Sequence, residues 1–315
     1  MADNERHWER EMIEKLALSG IKEQRAARRW GIFFKVLTFA YLTLILVLAF
    51  DWSKTDGATG GKHTALVEVS GIIGPGTDNS AEKINNALQA AFKDSNTQGV
   101  VVRVNSPGGS PVQSQNIYDE MRRLKKKYPT IPLYVVVEDL CASGGYFIAA
   151  AADRIYVNKS SLVGSIGVRM DSWGVTGLMD KLGIERRLLT AGENKGFLDP
   201  FLPVDAKQQA HALGMLNEIH QQFIAVVREG RGKRLKETPE IFSGLIWTGQ
   251  KSIDLGLADS FGSLEYVARE VIKAEDIVDY SQKENIAEKF ARRLGAGAAS
   301  SLAEFAVRHS PALMR

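Results

Sequence analysis

The chain has 315 residues, 44% of them hydrophobic and 24% charged, with Cys141 as its one cysteine. A net charge of +3 is too small for a nucleic-acid footprint. A single cysteine excludes an intramolecular disulfide framework and a cysteine-rich zinc module. The length admits one large domain or two modest ones, and no internal repeat is present.

Residues 1–30 form an N-terminal segment. Met12, Ile13, Leu16 and Ala17 suit one face of a short amphipathic helix. Residues 31–50, GIFFKVLTFAYLTLILVLAF, are twenty residues with one charge, Lys35. At about 1.5 Å per residue such a helix reaches ~30 Å, the hydrocarbon thickness of a bilayer. Trp30 and Trp52 flank it like an aromatic belt. Lys22, Arg25, Arg28 and Arg29 precede it, and Asp51 is the first charge after it. The basic side stays cytoplasmic, so the spacing predicts a single-pass anchor over 31–52 with the remainder outside. A cleaved signal peptide fits less well, because the run is long and no A-x-A site follows closely. A buried core helix fits less well too, because the run is apolar on every face.

Residues 53–63 are polar and glycine-rich, a linker. Beyond them β-branched runs alternate with helical patterns. Strands are expected at 65–69, 99–104, 133–137, 155–157 and around Leu188 and Leu189. Helices are expected at 81–92, from Pro111 to about Lys127 with Ser110 as N-cap, at 146–152 and at 205–228. This alternation predicts an α/β domain with largely parallel pairing and right-handed crossovers, its site at the loops leaving the strand C-termini. Residues 281–315 read as a basic amphipathic tail with Ile286, Phe290 and Leu294 on one face.

Two glycine-rich loops leave such strand ends. Asn105-Ser-Pro-Gly-Gly-Ser110 allows positive φ and exposes backbone N–H groups, or is simply a tight turn; it is no P-loop, since no G-K-[ST] follows. In the second loop Ser143 stands where a strand turns into an alanine-rich helix, followed by Gly144. That position exposes a hydroxyl beside free N–H groups, but an ordinary N-cap serine has the same signature. The pattern is not G-x-S-x-G. Cys141 is a rival nucleophile or a small buried hydrophobe. His7 precedes the apolar run, His63 lies in the linker and His309 in the tail. His211 and His220 have no neighbouring acid arranged to orient them, so a Ser-His-Asp triad is poorly supported. A desolvated lysine can take a serine proton instead. Lys195, with glycines on both sides and Phe197 and Leu198 beside it, is such a lysine or a solvated loop residue.

Taken together, Asn105-Ser-Pro-Gly-Gly109, Ala142-Ser-Gly-Gly-Tyr146, Gly164-Ser-Ile-Gly-Val168, Thr190-Ala-Gly192 with Lys195, and Trp247-Thr-Gly249 resemble the signal peptide peptidase A family of serine–lysine membrane peptidases. Ser143 precedes Ser165 by 22 residues and Lys195 by 52, as in that family. The resemblance runs from about Thr64 to Val271 and implies a peptidase domain over 64–280, in the short form with one catalytic domain per chain. It implies a crotonase-like, caseinolytic-protease-like spiral of ββα units. It also implies Ser143 as nucleophile, Lys195 as general base, Ser165 as the residue holding the lysine amine, and Gly109 and Gly144 N–H groups as oxyanion hole. The implied assembly is a homo-oligomer, an octamer, with Ser143 and Lys195 meeting across a subunit boundary. No metal or cofactor is implied. The implied substrates are signal peptides left in the bacterial inner membrane, or other hydrophobic peptides, met on its outer face. Cys141 departs from the small residue common in relatives at that position. The alternatives are a related peptidase acting on misfolded proteins, a non-catalytic membrane scaffold, and an acyl-CoA enzyme of the same fold. The last lacks paired carboxylates at these loops.

Overall fold

The computed structural model describes residues 24–25, 28–45 and 61–282. The chain divides into two compact units, residues 1–55 with 285–315, and residues 56–284. In the first unit residues 28–45 are helix α1, on which Ile32, Phe33, Leu37 and Phe39 are exposed. Residues 46–52 of the expected anchor lie outside the described residues. Among the described residues no helix is long and apolar enough to cross a membrane. The amphipathic stretches expected near Met12 and Ile286 and most of the linker also lie outside the described residues.

The second unit runs β1 (His63–Ser70), α2 (Ala81–Lys93), β2 (Thr97–Ser106), α3 (Pro111–Lys127), β3 (Leu133–Ala142), α4 (Gly144–Ala149), β4 (Arg154–Val157) and β5 (Leu162–Gly164). It continues through α5 (Thr176–Leu182), α6 (Ala206–Arg231), β6 (Ile246–Thr248), α7 (Gly249–Asp254), β7 (Ser260–Phe261), α8 (Leu264–Tyr266) with a π-helical turn behind it, and β8 (Ile277–Asp279). The long helices start where the sequence supplies an oxygen for their unpaired N–H groups. Ser80 accepts from Lys83 N–H, Ser110 from Gln113 N–H with Pro111 at the first turn, and Asp205 from Gln208 N–H. His63, expected in the linker, opens β1.

The strands form one sheet in the order β6-β5-β3-β2-β1-β8, with β4 and β7 as a branch. Every pairing is parallel except β5 with β6. The sheet forks at β3: residues 134–136 pair with 154–156 of β4, and 140–142 with 162–164 of β5. Helices and strands alternate up to β4, because parallel neighbours need a crossover. Among the described residues the ββα succession occurs once, at β4–β5–α5.

As the continuous apolar runs require, the central strands are buried on both faces. Val100, Val102 and Val104 pack with Leu88 and Met121 on one side, and Leu66, Val101 and Val136 with Leu264 and Val267 on the other. Each such buried side chain contributes about 1.5–3 kcal/mol. Arg231, 1% exposed, ends α6 inside the body. Its guanidinium makes two bonds to Asp259 at 2.8 and 2.9 Å and one to Gly256 O at 2.8 Å. Asp259 also accepts Ile155 N–H at 2.7 Å, so this pair ties α6 to β4.

The strand expected at Leu188 and Leu189 does not form. Residues 184–190 are irregular and Leu189 is 97% exposed. Two apolar residues become a strand only when a neighbouring strand pairs with them, and none does so here among the described residues.

Candidate active site

The first loop is built around a buried serine. Ser106, at the end of β2, donates to Gly71 O at 2.6 Å and accepts Gly108 N–H at 3.0 Å. Ile73 then clasps the two glycines: its N–H donates to Gly108 O and its carbonyl accepts Ser110 N–H, both at 2.9 Å. The approach is so close that a Cβ at Gly109 would strike the Ile73 carbonyl. Gly109 N–H itself has no acceptor among the described residues.

The second loop meets the first. Ser143 sits between β3 and α4 with φ 51° and ψ −123°, and its side chain makes no capping bond. The N-cap reading therefore does not hold. A non-glycine residue held in this conformation stores strain of about 1–3 kcal/mol, which the surrounding contacts must impose. Those contacts are Ser143 N–H to Gly164 O and Phe147 N–H to Ser143 O, both 2.9 Å. A Cβ at Gly108 would lie 2.5 Å from Gly144 N and 2.8 Å from Ser143 Cβ. One at Gly144 would lie 3.2 Å from Gly109 N. The Gly109 and Gly144 N–H groups are thus neighbours beside Ser143, and neither has an acceptor among the described residues. Two fixed donors next to an unbonded hydroxyl form an arrangement suited to an acyl-transfer oxyanion.

The fork of the sheet brings in Ser165. Ala142 pairs with Gly164 in parallel register, so Ser143 and Ser165 are the next step on adjoining strands. Ser165 also has positive φ, 52°, and donates its N–H to Leu245 O at 2.7 Å. Neither serine hydroxyl has a hydrogen-bond partner among the described residues. Cys141, one residue before this turn, is fully buried, and burial pushes its thiol far above the ordinary range. It packs as a hydrophobe and is not the nucleophile.

Lys195 lies elsewhere. It is exposed, in a turn where its N–H donates to Gly192 O at 3.1 Å, and it bonds to neither serine. Its loop rests on α6, through Leu198 N–H to Gln208 Oε1 at 3.0 Å and an edge contact of Phe197 with His211 at 5.8 Å. The Ser165 turn rests on the same helix at His220, whose Nε2 is 3.2 Å from Ile166 O. Twelve residues separate Gln208 from His220, which is ~18 Å along a helix. One chain therefore brings Ser143, Ser165, Gly109 and Gly144 together and leaves Lys195 apart from them. No cluster of three metal-ligating side chains occurs among the described residues.

Sequence reasoning missed Ile73, Ser106, Leu245 and His220. The first and third act through main-chain groups, which leave no residue-type signal. Ser106 was legible only as part of the turn motif, and His220 only as a histidine without an acid.

The model of peptidase family S49 matches residues 125–278, and the Clp protease model matches residues 66–163. A Methanocaldococcus jannaschii protein provisionally named a protease is 36% identical over 270 residues, which are 81% of this chain and 85% of that protein. An Enterococcus faecium protein provisionally named signal peptide peptidase SppA is 30% identical over 232 residues, covering 71% of this chain and 67% of that one. A Brucella abortus protein named Na(+)/H(+) antiporter NhaA is 45% identical over 182 residues, 58% of this chain but 25% of that protein. This chain thus spans about a quarter of that longer relative.

Proposed function

The chain belongs to peptidase family S49, and from that premise we propose that it is a membrane-anchored serine endopeptidase with a Ser143/Lys195 dyad. The observation that carries the reading is the Ser143 turn: a strained, uncapped serine flanked by two acceptorless N–H groups. Ser143 Oγ attacks the peptide carbonyl while neutral Lys195 takes its proton. The carbonyl oxygen becomes an oxyanion held by Gly109 and Gly144 N–H, and the lysine ammonium returns the proton to the leaving amine. Water then hydrolyses the acyl-serine by the reverse sequence. Ser165 orients the lysine amine.

A solvated lysine is an ammonium at neutral pH and cannot act as base. Lys195 is exposed in the single chain, and its loop touches α6 far from the serines. Both facts support a site completed by another copy, in a homo-oligomeric ring of eight as the family resemblance implies. The exposed apolar residues Trp173 (84%), Leu189 (97%) and Val204 (78%) on the same segment fit such a contact. The apolar run at 31–50 and the basic residues before it support an inner-membrane anchor with the peptidase body outside. Signal peptides and other hydrophobic peptides are the substrates that an anchored enzyme would meet there. The name of the Enterococcus relative accords with this.

The test is turnover of a fluorogenic signal-peptide-like substrate by the full chain in detergent, beside Ser143→Ala. Activity that disappears in the variant supports the nucleophile, and equal rates overturn it. Ser143→Ala and Lys195→Ala chains, each inactive, should regain activity when assembled together. Silence in confirmed mixed oligomers would place both residues in one protomer.

A further inference from the structure

The turn 164–166 carries the second serine in a backbone conformation that it would not choose alone. Gly164 has φ 121° and Ser165 φ 52°, so neighbouring groups must hold it. Three do. Leu245 O accepts Ser165 N–H at 2.7 Å. The Trp247 indole closes on Gly164, where a Cβ would lie 3.1 Å from its Cδ1. His220, from a separate element, meets Ile166 O at 3.2 Å. The first two belong to β6 and its approach, and they shape the turn from the sheet side. His220 holds its far end, at Ile166, which is fully buried and packs in the core.

A carbonyl only accepts, so the His220 ring presents Nε2–H to Ile166 in the neutral and the protonated form alike. We propose that His220 is a positioning residue for Ser165: its bond to Ile166 O fixes where the Ser165 hydroxyl stands beside Ser143. This rests on the Ser/Lys reading, in which Ser165 orients the lysine amine. Without the Nε2–H donor, Ile166 O is a buried acceptor left unpaired, and the turn relaxes toward ordinary φ to find another donor. The hydroxyl then moves with it. His220 reaches neither substrate nor lysine and acts only through Ser165.

The experiment measures kcat and KM of the full chain in detergent on a fluorogenic hydrophobic peptide. The variants are Ser165→Ala, His220→Leu, His220→Gln and the double variant Ser165→Ala/His220→Leu. A misplaced orienting group costs turnover more than binding, so His220→Leu should lower kcat roughly tenfold to a hundredfold with KM within about twofold. His220→Gln, whose amide can reach Ile166 O, should recover most of kcat. The double variant should be no slower than Ser165→Ala alone, because His220 has nothing left to position. Should His220→Leu fail to fold, His220→Asn replaces it with the same expected values, its amide being one methylene too short to reach. Wild-type kcat in the variant lacking the donor, or a double variant whose loss is the product of the single losses, overturns the proposal. Wild-type kcat in Ser165→Ala would remove Ser165 from the chemistry and this proposal with it. A null result at His220 alone leaves the dyad standing.

Discussion

The turns carrying Ser143 and Ser165 and the segment carrying Lys195 lie on opposite sides of one structural divide. The serine turns are held by main-chain bonds to Gly164, Leu245 and Ile73, at glycines where no Cβ fits. The segment behind them is a surface: α5 buries no residue, and Trp173 and Leu189 are 84% and 97% exposed. A region that stores strain at Ser143 and Ser165 needs a rigid frame, and the forked sheet supplies one. A region that presents apolar side chains to solvent has the character of a contact waiting for its other half. On the proposed reading, the serine half of the site is complete within the chain. The other half takes its meaning from what covers it.

The largest expected effect tests the built side. Ser143→Ala should lower kcat by ~10⁵-fold or more on a fluorogenic peptide, as loss of a nucleophile does in comparable hydrolases. Arg231→Ala probes the frame. It removes two of the bonds to buried Asp259, which keeps Arg234 at 3.1 Å and Ile155 N–H. The loss should cost about 3 kcal/mol in denaturant unfolding, the lower end for a broken buried pair. The exposed pair Arg186–Asp199 at 3.1 Å, on the Lys195 segment, should cost under ~1 kcal/mol when Arg186 is removed. Equal costs would erase the contrast. Gly109→Ala pushes a Cβ into Ile73 O and displaces one N–H donor, so kcat should fall about 10²–10³-fold. At Gly174 nothing lies within 4 Å of a Cβ, and Gly174→Ala should change stability by no more than ~0.5 kcal/mol.

Acid sharpens the same comparison. Burial by itself raises the Asp259 carboxyl, but the Arg231 bonds and the Ile155 N–H outweigh it and hold it below the ordinary carboxylate range. A depressed folded value means the stabilisation is present above about pH 4 and is lost as pH falls through that lower value. Denaturant midpoints should therefore be flat in this respect near neutrality and drop in acid. Asp259→Asn should flatten part of that drop; an unchanged acid limb would discharge Asp259 from the role. The smallest expected effect is on the exposed side. Leu189→Ser should leave unfolding of the single chain within ~0.5 kcal/mol while lowering the oligomer fraction in sedimentation. A large loss of chain stability would show that Leu189 is part of the core after all.

Much of the body was legible because its signals are local. Ser110 and Pro111 marked the start of α3, and the valine run at 100–104 announced a strand buried on both faces, which it is. Both glycine loops fell at strand ends as the α/β pattern required. The two-residue apolar pair at Leu188 and Leu189 misled because strand formation is decided by partners and not by residue type. The short elements β5, β6 and β7, three, three and two residues long, carry no period that could be read.

The sequence by itself determined which atoms are on offer: an alternating α/β chain, an apolar run near its start, two serines 22 residues apart, and glycines where backbone N–H groups can be bared. Whether Ser143 caps a helix or stands free was undecidable from it, since both uses need the same residue at the same turn. Tertiary structure decided that, through the Gly164 carbonyl and the Gly108 backbone that hold φ at 51°. It also decided that Ser165, and not a nearer residue, stands beside Ser143, because register between parallel strands is a pairing of distant segments. It left Lys195 apart from both serines, for the helix that carries its loop is stiff and those contacts on it lie too far apart.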